Sequence, residues 1–361
     1  MHVLLIGSSP RVFSTGNFEW LSYTARALRR LGHAVTVFPW RESWAASPSL
    51  VGGLGWIPGV TGSLGRYQQA RVRWRDRAVI KLTEELRPDL VLVLKGEHVS
   101  GEVLSEVKRR ARGPLVTWWV DDPWRFPWHI ERFAIFDHVF IFDRAYLSRV
   151  MDAGAQQAHF LPCACDETVY RPMRVRPPER RRFACDVAFV AWGYPEREAM
   201  VRALADAVDV GVWGRGWEAL KDVRTPSGVP VIRGPAVSSR MSAMIYNVAT
   251  IGLNIHAAQT RLAGVNTRTF ELLASGLFEL VDQIPGLEEL LEPEVEVVCY
   301  RSPEEARRLL RYYLRDAGAR AAVARRGRAR VLDEHTYVCR MRTLCDISQR
   351  STRRDVVPVH S

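Results

Sequence analysis

The chain has 361 residues with a formal net charge of +11, 25% of them charged and 47% hydrophobic. That content excludes disorder, collagen-like repeats and coiled coils, and the length allows two domains that each bury a core. No apolar run reaches the roughly 18 residues that span a bilayer, and the opening MHVLLIG lacks a basic n-region and a small-residue cleavage site, so it reads as a buried strand of a cytoplasmic protein.

Short apolar runs alternate with amphipathic stretches, the pattern of parallel sheets covered by helices. The first half predicts strands over 2–6, 34–38, 90–94, 115–119 and 138–142, and helices over 18–31, 71–86 and 102–112. Residues 40–65 break this rhythm with Gly, Pro, Ser and Trp, as a functional loop or a lid does. Prolines 162, 172, 177 and 178 with an Arg-rich run mark a linker. A second alternation predicts strands over 186–191, 208–213, 229–232, 251–255, 278–281 and 295–298, with helices over 196–207, 239–248 and 267–275, then a helical tail over 303–314, 317–332 and 337–348. The expected organisation is a domain over 1–165, a linker over 166–184, a domain over 185–335 and a terminal segment over 336–361, with the ligand cleft between the carboxyl ends of two sheets.

The six cysteines form no CxxC pair and no zinc spacing, so they read as reduced thiols; Cys163-Ala-Cys165 is a ligand pair only if a histidine joins it. Almost all the cations are Arg, which weakens the charge as a pointer to polyanions, although phosphate-bearing ligands still suit it. Nine of the 12 tryptophans lie before residue 130. Trp40, Trp44 and Trp56 on the long loop, with Trp118, Trp119 and Trp124 at a strand end, are expected to border an acceptor site; the alternative is core packing.

The first strand ends in Gly7-Ser8-Ser9-Pro10, a turn where a ligand can approach the backbone before a helix N-terminus, though any first βα turn favours glycine. Trp192-Gly193-Tyr194-Pro195 repeats that turn, with Arg197 one position inside the helix as a diphosphate ligand or a solvated residue. Gly214 and Gly216 between Trp213 and Trp217 suggest a tight crossing near the cleft. The most informative stretch joins the strand Leu253-Asn254-Ile255-His256 to Gly264-Val265-Asn266-Thr267-Arg268-Thr269-Phe270-Glu271. It is read as a helix whose first turn crowds Asn266, Arg268 and Glu271, where the carboxylate can accept both hydroxyls of a ribose and the guanidinium faces phosphates. Asp121-Asp122-Pro123, after a strand, offers a general base for an acceptor hydroxyl or a cap for the next segment. Lys95-Gly96-Glu97-His98 ends the preceding strand as a second candidate, with His98 toward an acceptor or, as a lone histidine, structural. His335 is expected to orient the last helix, and the Arg-dense 320–342 stretch to be a solvated face or, in the rival reading, a nucleic-acid or membrane surface.

The order FE-LLASG, a strand, EVEVVCYRSPEEARRLLRYYLRD and ARRGRARVLDEHTYVCRMRTL resembles the CgeB-like spore-maturation glycosyltransferases of the GT-B fold, and LGHAVTVF, PDLVLVLKG, WWVDDPW, LPCACDETVYRP and IGLNIH extend the resemblance over nearly the whole chain. It implies an α/β protein of two Rossmann-like doubly wound domains facing a central cleft. It further implies a last helix crossing back to the first domain, a nucleotide sugar held by the second domain and a hydroxyl acceptor by the first. Many retaining members carry two glutamates eight apart; Glu271 matches the second, but Ala263 stands in place of the first. The sugar then falls to Asn266 and the backbone of Gly264–Asn266. The expected reaction is transfer, with retention, from a UDP-type donor, with no cofactor and no metal. Its rivals are a DNA-modifying glycosyltransferase acting on a hydroxymethylated base and a silent nucleotide-sugar-binding protein.

Overall fold

The structure, a computed structural model, describes residues 1–8, 19–41, 60–256 and 264–354. Ser9, Pro10, Trp44, Trp56 and Ala263 lie outside the described residues.

Continuous apolar runs become parallel strands because both faces of the sheet are covered. In the first sheet β1 (His2–Ser8), β2 (Ala34–Arg41), β3 (Leu90–Leu94), β4 (Leu115–Trp119), β5 (His138–Ile141) and β6 (Ala158–Phe160) stand in the order β2-β1-β3-β4-β5-β6. In the second, β7 (Val187–Val190), β8 (Val210–Trp213), β9 (Ile232–Gly234), β10 (Ile251–Asn254), β11 (Phe278–Asp282) and β12 (Val298–Tyr300) stand as β12-β11-β10-β7-β8-β9. Every pairing within the two sheets is parallel. Strand order reverses at β1/β3 and at β7/β10, the places where open α/β sheets bind ligands.

The covering helices are α1 (Trp20–Arg30), α2 (Val60–Leu86), α3 (Gly101–Arg110), α4 (Leu147–Asp152), α5 (Pro177–Phe183), α6 (Pro195–Leu204), α7 (Ser239–Tyr246), α8 (Thr267–Ala274), α9 (Pro303–Arg315), α10 (Ala317–Glu334) and α11 (Tyr337–Arg354). Alternation within β1 divides the core. Val3 and Leu5 pack with α1 and with Tyr337, Met341 and Leu344 of α11, so the last helix does cross back onto the first domain. Leu4 and Ile6 belong to a second cluster that runs without a break through Phe142, Cys163 and Tyr170 into Phe270 and Leu273 of the second domain.

Several boundaries differ from expectation. Residues 60–65, read as loop, begin α2; Gly62 and Gly65 cost about 1 kcal/mol each relative to alanine but do not block the helical ladder as proline does. β6, near the end of the expected first domain, went unread, and the expected strands at 229–232 and 295–298 shift to β9 and β12. All three are three-residue edge strands, too short for a pattern.

The chain crosses between domains twice, and the crossings are bonded together. Cys165 N–H donates to His335 O and Tyr337 N–H to Cys165 O. The buried Arg340 guanidinium donates to the carbonyls of Pro162, Cys163 and Glu334 and to His335 Nδ1, while His335 Nε2 donates to Leu290 O. Burial lowers Arg340 to about 10. His335 thus orients α11 as expected.

Candidate active site

At the second sheet's reversal, α8 starts where β10 delivers it. Asn266 caps the helix, its side chain accepting from Thr269 N–H at 3.4 Å and donating to Asn254 Oδ1 at 3.0 Å. Arg268 spans the gap between the two strand ends: Nε donates to Val190 O of β7 at 2.8 Å and Nη1 to Asn254 Oδ1 of β10 at 3.0 Å. A half-buried cation is thereby fixed beside the free N–H groups of a helix start, an arrangement suited to an anion. His256 is held alongside, its Nδ1 donating to Asp282 at 2.8 Å and its Nε2 accepting from Asn266 N–H at 3.2 Å.

Arg197 is buried deeper than a solvated first-turn residue. Its guanidinium donates to Ile255 O at 2.7 and 3.1 Å and to Trp192 O at 3.0 Å, and burial, followed by the charge of Arg268, lowers it to about 9. It contributes positive charge near Arg268 while its donors are engaged by backbone. Trp192, just past β7, is 44% exposed at this same edge.

Glu271 requires a correction of place. No acidic residue occupies the first turn of α8; Glu271 stands in the second, 4% exposed, and faces the junction of the domains. After burial, its charge is the next strongest influence raising Cys165 and the hydroxyls of Tyr170 and Tyr246. The glycines beyond β7 and β8 make the crossing expected of them. A Cβ on Gly193 would lie 1.9 Å from Gly216 O, and Gly216 has φ +79°, a conformation that favours glycine. Gly193 N–H donates to Arg215 O, and Gly214 N–H to Gly234 O.

At the first sheet's reversal Gly7 is buried against Leu21 and Leu94, and Ser8 is exposed. β3 ends in Lys95 with φ +61°, a strained value for a residue with a side chain. Its Nζ donates to Asp121 Oδ2 at 3.2 Å and lies 4.6 Å from the Phe126 ring centre. Asp121 also accepts from Arg125 and from Asp122 N–H. Asp122 caps a 3-10 turn, Pro123–Arg125, accepting from Trp124 N–H at 2.9 Å. Trp124 is stacked on Tyr146 with Arg149 on its ring, and His98 is exposed beside Glu97.

Trp118 and Trp119 do not border an acceptor site. They are 1% and 0% exposed: Trp118 packs on Tyr337 and donates to Leu161 O, and Trp119 lies among Phe126, His129 and Phe133. The side chains of a fully covered parallel strand have no solvent face. Trp40 is buried too, donating to His98 O under Arg75. The 320–342 arginines are likewise not one solvated face, since Arg326, Arg328 and Arg330 donate to the carbonyls of Val295, Ala274 and Leu290. The partners that complete the site are Asn254 and His256, from the strand expected to deliver the helix but given no role there, and Glu279 and Asp282 of β11, which carry no local signal in sequence.

Among the described residues no group of three or more His, Cys, Asp or Glu can hold a metal ion, and no helix is long and apolar enough to cross a membrane. Residues 197–346 match a family described as glycosyl transferase-like. No curated protein shows a significant match to the sequence. Among solved structures, the chain is similar to Anabaena HepE in complex with UDP-glucose, at 14% identity and TM-score 0.62 over 96% of this chain and 99% of that one. It is also similar to sucrose-phosphate synthase from Thermosynechococcus elongatus, at 14% identity and TM-score 0.66 over 98% and 100%. AviGT4, a glycosyltransferase involved in avilamycin A biosynthesis, aligns at 16% identity and TM-score 0.62 over 97% of each chain. The molecule therefore has the GT-B glycosyltransferase fold of two Rossmann-like domains, and its second domain carries the match to the glycosyl transferase-like family.

Proposed function

We propose that the protein transfers a sugar from a UDP-type donor to a hydroxyl-bearing acceptor across the cleft between its two sheets. The observation that carries this reading is Arg268, fixed between the ends of β7 and β10 at the start of α8. There it receives the diphosphate and stabilises it as it leaves, with the charge of Arg197 behind it. Gly193, Gly214 and Gly216 shape the backbone beside the phosphates, with Gly7 and Ser8 closing from the first domain, and Glu271 takes the ribose. The HepE complexes with UDP and UDP-glucose support the choice of nucleotide.

On the acceptor side Asp121 and Asp122, with Trp124 and His98, form the polar edge facing the donor. The oxygens of Asp121 are already engaged by Lys95, Arg125 and Asp122 N–H. Asp121 orients the acceptor hydroxyl, and the departing diphosphate takes its proton, which is compatible with retention and with no metal. The test is turnover of a nucleotide-sugar panel with and without chelator, with the product's anomeric configuration read by NMR. Transfer that survives Arg268→Ala, or that stops with chelator, removes the corresponding part of the reading.

A further inference from the structure

Beneath Arg268 lies a buried carboxylate that the transfer reaction does not use. Glu279 on β11 is 0% exposed. It pairs in register with Gly252, against which the Leu272 and Leu277 side chains pack, and it reaches diagonally to Asn254 on the same face of the sheet. Its Oε1 accepts from Asn254 Nδ2 at 2.9 Å and from Thr269 Oγ1 at 3.0 Å, while Oε2 has no hydrogen-bond partner. Asn254 then presents Oδ1 to Arg268 Nη1 and to Asn266 Nδ2. A chain of two hydrogen bonds thus links a buried acid to the cation at the helix start.

We propose that Glu279 is a positioning residue of the donor site: it fixes the Asn254 amide that holds Arg268, and its charge sets how much of the Arg268 charge a bound diphosphate experiences. This rests on the reading of Arg268 as a diphosphate ligand. Burial pushes the Glu279 carboxyl up to about 7, against the hydrogen bonds from Asn254 and Thr269 and the charge of Arg268. The titratable groups facing it are Arg268 from α8, Asp282 from β11, Tyr246 from α7, and Cys299 and Tyr300 from β12. A neutral Glu279 leaves the Arg268 charge to the ligand, and an ionised one competes for it, so diphosphate affinity falls as pH rises above 7.

The experiment is calorimetric titration of the full chain with UDP between pH 7.0 and 8.5, where the terminal phosphate, with a pKa of about 6, is largely ionised throughout. The wild-type dissociation constant is expected to rise about fivefold across that range, and that of Glu279→Gln, which keeps the acceptor and loses the charge, to stay flat. Glu279→Leu, which frees Asn254, weakens binding about tenfold at both ends. If circular dichroism shows that variant unfolded, Thr269→Val replaces it, with an expected loss of about threefold. A Glu279→Gln curve that follows the wild-type pH slope, or wild-type affinity in the Leu or Val variant, overturns the proposal. A wild type that binds no nucleoside diphosphate overturns the donor reading itself, and the proposal with it.

Discussion

The two strand-order reversals do the same topological job with different chemistry. In the second domain Asn254, Asn266, Arg268, Thr269 and one oxygen of Glu279 are joined in a single hydrogen-bonded network over strand ends and a capped helix, with Glu279 Oε2 left over beneath it. In the first domain the strand end is strained at Lys95, its ion pair is half-buried, and beneath it His129 and the Trp119 Nε1 are buried without hydrogen-bond partners. A preorganised network suits a ligand part that never changes, such as a nucleoside diphosphate. A strained edge held by one half-buried ion pair suits a surface free to diverge with the acceptor.

That contrast is sharpest in activity. Arg268→Ala is expected to lower kcat/KM by about 10²–10³, the scale of one lost charge-stabilising donor, and Asp121→Asn by about tenfold; if initial-rate kinetics show Asp121→Asn falling as far, the chemistry belongs to the first domain and the contrast inverts. Next in size, Arg340→Ala should lose about 3 kcal/mol in urea unfolding, since several buried carbonyls are left unpaired. A midpoint unchanged from wild type would mean that the two crossings do not depend on it.

Glu279→Gln should stabilise the fold at pH 8 by about 3 kcal/mol and leave it nearly unchanged near pH 4. The sign follows from a folded value of about 7 against an unfolded value of 4.5. The folded state then holds its proton longer, so stability is lost as pH rises between those values and the cost is complete above the higher one. Thermal melts at the two pH values check it, and equal melting at pH 8 would show that the carboxyl ionises at no cost. Smallest, Trp118→Phe should cost about 1 kcal/mol of stability and leave the acceptor KM unchanged; a raised acceptor KM at normal stability would return the tryptophan to the acceptor side.

The uneven legibility of the sequence follows the same division. Central strands such as β1, β3 and β4 announced themselves as unbroken apolar runs, and Asn266 and Arg268 were readable because a helix cap and its first turn are local. Glu279 was not, because its meaning lies in the β10–β11 register, which sets it diagonally from Asn254. Trp118 and Trp119 misled because a tryptophan at a strand end looks the same in sequence whether the sheet is covered or open. Asp122 resolved as a cap, since Asp before Pro carries the local turn signal whatever surrounds it.

The double crossing has a mechanical consequence. With Cys165 and Thr336 side by side and Arg340 tying both segments, the domains share one seam where two independent tethers would otherwise stand. That polar seam lies beside the apolar cluster that already runs from one domain into the other, so the crossings and the core fasten the domains together. The Phe142 ring resting on Gly264 adds a further contact between the domains beside that seam.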